Sequence, residues 1–135
     1  MIPKFRVFVK KENELFETDD LLLIDFLNEE VMLQQNSIIY ATSFDFDEVI
    51  LMQSTGLHDK NGKEIFEGDI LEVTDKHSWL EVVSYSQEKA MFVTEEINRE
   101  FKVPESPLYD LLDSTFLKFK VIGNIYENPE LLEVE

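Results

Sequence analysis

The chain has 135 residues, enough for one domain or a small domain with an appended subdomain. Its 29 acidic and 12 basic side chains give a formal charge of -17, which argues against broad contact with nucleic-acid phosphates or an anionic membrane. A 44% hydrophobic content with 11 Phe argues against disorder, and the lack of Cys excludes disulfides, thiolate metal sites and Cys nucleophiles.

No apolar run is long enough to span a bilayer, and residues 1–6 lack the apolar core of a signal peptide. A cytoplasmic location is therefore expected. The charge is unevenly spread. Residues 12–59 carry 12 carboxylates and no Lys or Arg, whereas residues 60–135 mix acids with bases. That asymmetry predicts two parts, an acidic β-rich subdomain over residues 1–55 and a second over residues 56–135. With no linker between them, they are expected to pack as one unit. No internal repeat is visible.

Taken in order, the elements read mostly as strands. Phe5, Val7 and Val9 alternate with Lys4, Arg6 and Lys10, the period-2 pattern of a half-exposed strand. Residues 21–26 and 31–35 are apolar and predict a hairpin; a short helix capped by Asp19 or Asp20 is the rival. Residues 48–52 predict a further strand. Asn61-Gly62 is a strong hairpin-turn signal and suggests a type I′ turn, in which both central residues have positive φ. Gly68-Asp69 predicts a second turn, leading into a strand at 70–73. Strands follow at 79–85 and, after a turn at Gln87-Glu88-Lys89, at 90–97. Residues 108–113 predict a helical turn. A final strand is expected over 116–126, with Gly123 marking a bulge or tight corner. Periodicity thus predicts a mainly β fold with a small, twisted, closed sheet; an SH3-like barrel over residues 57–127 is one specific form.

The inventory for chemistry is poor. His58 and His77 are the only histidines and each adjoins a predicted turn, where a lone His is usually solvated. No metalloprotease helix motif, nucleophile elbow, P-loop or dinucleotide fingerprint occurs. The segment from Asp59 to Glu64 resembles a calcium loop but fails on register, since the glycine falls too early. Trp79 could stack a ligand, though a single Trp in such a strand is more often a packing anchor. No catalytic, cofactor-binding or metal-ligating residue is assigned. The candidate interaction surface is acidic: Asp19, Asp20, Glu29, Glu30, Asp45, Asp47 and Glu48.

Longer motifs carry a resemblance. The segment from Met52 to Ile70, with Thr55-Gly56, Asn61-Gly62 and Glu67-Gly68-Asp69, resembles the YopX-like family of phage and prophage proteins. So does the closing segment from Val121 to Leu132, and more weakly the opening Lys4-Phe5-Arg6. The usual opening continues with Trp and Asp, where this chain has Phe8 and Val9. Residues 86–115 match no family motif and read as a variable insertion. The resemblance implies a mainly β fold, with an SH3-like β-barrel in the C-terminal part, an irregular β-rich N-terminal part and little helix. It also implies a phage or prophage protein acting in bacterial cytoplasm, and it supplies no catalytic residue.

The expected function is a non-enzymatic protein-interaction module, a phage accessory factor whose partner is a host or phage protein. Neither direct nucleic-acid binding nor membrane contact is expected, and exposed strand edges could support a homo-oligomer. Two alternatives stand beside it. The acids could mimic DNA phosphates and occupy the basic groove of a host nucleic-acid enzyme, or clustered carboxylates could hold a divalent metal for hydrolysis. A nucleic-acid-binding barrel would need a local basic face, for which Lys60, Lys63, Lys118 and Lys120 are the candidates.

Overall fold

A computed structural model describes residues 2–35, 41–97 and 100–133. Residues 98 and 99, part of the expected variable insertion, fall outside these. The described residues form three antiparallel sheets with little helix. They divide into two compact units, Met1–Ser54 and Thr55–Glu135.

In the first unit, β1 (Phe5–Val9) lies between β2 (Glu14–Phe16) and the leading half of β6 (Val49–His58). A second sheet has the order β3-β4-β5, from Leu21–Asp25, Glu30–Gln34 and Ala41–Asp45. The predicted hairpin is therefore present. The rival helix is not: Asp19 and Asp20 end a single 3-10 turn, Thr18–Asp20, and the chain becomes extended at Leu21. Val7, Val9, Phe16, Val31, Leu33 and Val49 make the core, joined by Leu21, Ile24, Phe44, Phe46 and Leu51. One expectation is corrected in β1. Arg6 and Phe8, on the face expected to be exposed, are buried, as Val7 and Val9 are on the other. A strand paired on both sides has no open edge, and here both of its faces are covered as well.

The second unit starts with the remainder of β6, which neighbours β7 (Glu64–Phe66). Thr55-Gly56 of the family-like segment lies inside β6, where Gly56 takes φ +77°. Thr55 Oγ1 donates to the Ile65 carbonyl (2.8 Å) and accepts the Leu57 N–H (3.1 Å), holding this kink in the strand.

The hairpin after β6 forms as Asn61-Gly62 predicts, but with a different turn. Only Gly62 has positive φ. Its N–H reaches the Asp59 carbonyl (3.0 Å), and the Asp59 N–H reaches the Lys63 carbonyl (2.8 Å). This is a three-residue loop closed by a left-handed glycine, the next most favoured solution after the two-residue turn. The cause is Asp59, whose Oδ1 accepts the N–H groups of Asn61 and Lys63. Its Oδ2 accepts the Val121 N–H at 2.9 Å, tying the hairpin to the last strand.

The five-stranded sheet has the order β11-β10-β9-β8-β12. Its strands are β8 (Asp69–Thr74), β9 (Ser78–Ser86), β10 (Met91–Ile97), β11 (Ser106–Pro107) and β12 (Lys118–Asn124). A single turn of helix, α1 (Tyr109–Asp113), lies between β11 and β12. The last strand begins later than its apolar pattern suggested. Phe116 is exposed, and Ser114 Oγ instead accepts the N–H groups of Phe116 and Leu117 in a turn. The bulge expected at Gly123 is present as a register shift between Val121 and Gly123 against β8. Gly123 is also needed for space, because a Cβ there would strike the Asn128 side chain. Ile65, Leu71, Val73, Val83, Leu108, Leu111 and Phe119 form this unit's core.

Candidate functional site

The seven predicted acids separate into two groups. Glu30 stands directly opposite Asp45 in the β4–β5 ladder. The Glu29 carbonyl accepts the Phe46 N–H at 2.9 Å, which brings Asp47 and Glu48 to the same end of the sheet. Five acids thus gather there. Asp19 and Asp20 do not join them. They precede Leu21, which pairs with Leu33 at the opposite end of the β3–β4 hairpin from its turn.

The gathered acids have local structural causes. Glu48 Oε1 accepts the Asp45 N–H at 2.9 Å, one half of a capping box around the 3-10 turn Phe46–Glu48. Oxygens of Asp45, Asp47 and Glu48 all lie within 4.8 Å of one another, and all three residues are exposed. Lys10 reaches this end too, its Nζ donating to the Asp47 carbonyl (2.9 Å) and its N–H to the Glu48 carbonyl (3.1 Å).

Sequence reasoning missed the apolar part of this surface. The residues that connect β3 to β4 include Phe26, 74% exposed, and Leu27, 90% exposed. Leu22 and Leu23 on β3 are also exposed. Phe26 meets Phe46 edge-on at a ring separation of 5.9 Å, so the apolar tip adjoins the acidic turn. The signal available in the sequence was the six apolar residues flanking Asp25 within 21–27, too many for one face of a short strand.

Asp25 fixes the tip. Its Oδ1 accepts the N–H groups of Leu27 and Asn28 at 3.0 Å, and its Oδ2 the Asn28 side-chain amide at 2.7 Å. The Asn28 backbone and side-chain donors, with Leu27, hold the Asp25 carboxyl below its usual pKa against an opposing effect of desolvation. Glu29 completes the turn at φ +55°, a left-handed conformation that few side chains adopt.

The remaining candidates lie elsewhere. His58 and His77 are exposed. Trp79 is half-buried against the second core and donates its indole N–H to Glu81 Oε2 at 2.8 Å. In the segment resembling a calcium loop, both Asp59 oxygens are taken up by backbone N–H donors. Lys60, Lys118 and Lys120 surround one shallow hollow with Glu72 and Phe119. Its charge is partly offset: Lys120 lies 3.7 Å from Glu72, and Lys60 sits over the Phe119 ring. Among the described residues, no helix is long and apolar enough to cross a membrane.

These features define a small two-unit β protein with an apolar tip rimmed by acids. The YopX protein family matches residues 4–133, and the chain belongs to that family. It is similar to the crystal structure of protein EF1440 from Enterococcus faecalis, at 32% identity and a TM-score of 0.65, covering 98% of this chain and 99% of that one. The crystal structure of YopX from Bacillus subtilis shares the fold at 21% identity and a TM-score of 0.65, covering 96% and 98%. Among curated proteins, no similar sequence is found.

Proposed function

We propose that the chain is a non-enzymatic protein-interaction module, a phage or prophage accessory protein acting in bacterial cytoplasm, whose contact surface is the β3–β4 tip. The observation that carries this reading is the exposed pair Phe26 and Leu27 beside Glu29, Glu30, Asp45, Asp47 and Glu48. Exposed apolar side chains rimmed by charge are the usual anatomy of a protein contact. The Asp25 turn holds the tip in one conformation, so little ordering entropy opposes binding. A partner would offer an apolar pocket with a basic rim. Phage origin follows from what resemblance to the family implies.

The DNA-mimic reading draws less support, because it asks for acids spaced along a ridge and for no apolar centre. Five of the seven acids cluster, and two large apolar side chains stand beside them. As to fold, we propose that the second unit is an SH3-like barrel. The order β11-β10-β9-β8-β12, with one helical turn before the returning strand, supports it.

Capture from host lysate with the immobilised chain, compared with a Phe26→Ser/Leu27→Ser variant, tests the interaction reading. A partner retained by the parent chain at low salt and lost with the variant is expected. Equal capture by both would sink it.

A further inference from the structure

The second unit contains a cavity of about 220 Å³ between β9, β10 and the segment that runs from Val103 through α1. A single water needs only about 10–15 Å³ of such space, so the cavity admits a group of several atoms. Trp79, Val103, Pro104, Pro107, Leu111 and Leu117 supply apolar walls. Glu81, Thr94 and Glu96 line it on the strands, and Asp110 lines it from α1. No Lys or Arg of the described residues does so.

Two of these polar groups are buried, and one of them lacks a partner. Glu81 is only 7% exposed, and its Oε2 takes the Trp79 indole N–H. Thr94 is 1% exposed, and its Oγ1 has no hydrogen-bond partner among the described residues. A buried hydroxyl without a partner is costly and rare in folded proteins. A ligand in the cavity would supply the missing partner. Glu96 stands directly opposite Glu81 in the β9–β10 ladder.

We propose that this cavity binds an organic cation, a primary ammonium or guanidinium group on a short aliphatic stem. An ammonium is a donor only, which suits the Glu81 carboxylate and the Thr94 hydroxyl as acceptors. Low-dielectric walls strengthen its attraction to Glu81. The proline and leucine walls suit the methylene stem. Both a free amine and a lysine or arginine side chain of a protein carry this chemistry. The site is distinct from the acidic tip of the first unit, and the inference stands whether or not that tip binds a protein.

Trp79 is the only tryptophan and lines this cavity, so its fluorescence reports on the site. The full chain is titrated with n-butylammonium chloride, with 1-butanol at matched ionic strength as the neutral control. A saturable change with the ammonium and none with the alcohol is expected. Glu81→Gln should weaken binding at least tenfold, and Thr94→Val, which keeps the shape, should weaken it severalfold. Thr94→Val serves if the Glu81 variant does not fold. A blocked lysine tripeptide binding more tightly than butylammonium assigns the cation to a protein partner, and the reverse assigns it to a free amine; either result supports the site. A response that does not saturate, that 1-butanol reproduces, or that both variants retain in full overturns it.

Discussion

At the residue scale, Asp59 connects more of the second unit than any motif suggested. Its carboxylate accepts N–H groups from Asn61, Lys63 and Val121, the last of them 62 positions away. Burial alone would raise its pKa. The three backbone donors, Val121 foremost, and the Lys63 charge outweigh that and lower it. A carboxyl lowered by folding stabilises fully above its ordinary pKa, and that stabilisation is lost as pH falls through the lowered value. Asp59→Ala should therefore cost about 3 kcal/mol at neutral pH, chiefly through buried N–H groups left unpaired. Its stability should also fall less steeply on acidification than that of the parent chain. Urea denaturation across the acid range checks both, and parallel acid limbs would rule out the linkage. Ala90 makes the opposite case. It sits at φ +54° in the turn between β9 and β10 and is exposed, so its Cβ opposes the conformation. Ala90→Gly should stabilise by about 0.5–1 kcal/mol, read as a shift in the urea midpoint.

At the element scale, local signals were legible where one residue type fixes the backbone. The Asn61-Gly62 hairpin, the Gly68 turn and the Gly123 bulge were all visible in the sequence for that reason. Gly123→Ala should destabilise by about 1–3 kcal/mol, since the new Cβ collides with Asn128, whose Oδ1 accepts the Asn124 N–H. Thermal unfolding measures it, and an unchanged midpoint would show that the Asn128 loop yields freely. Short strands were harder to see. β2 has three residues and β5 carries Thr42 and Ser43, so neither shows a clear apolar alternation, and each exists because a neighbour pairs with it. The exact turn at Asn61 was hidden for a similar reason: Asp59 decides it by local side-chain bonding, which outweighs the dipeptide preference.

At the scale of the whole molecule, a charge of -17 works against compaction by self-repulsion. Moderate sodium chloride should raise the melting temperature, because salt screens exposed like charges, and scanning calorimetry over a salt series would register it. A flat or falling series would mean that favourable ion pairs, such as Lys89 with Glu105 at 3.3 Å, balance the repulsion. The sequence by itself determined the mainly β class, the family and the uneven charge, because composition, strand periodicity and turn residues act locally. It also named the acids, but not which of them meet. Only the tertiary structure decided that Glu29 and Glu30 join Asp45, Asp47 and Glu48 while Asp19 and Asp20 stay apart. Only there do Phe26 and Leu27 emerge exposed beside them, and only there do Trp79, Glu81 and Thr94 come to share one cavity. Register and chain return bring together residues far apart in sequence, and no local pattern encodes such meetings.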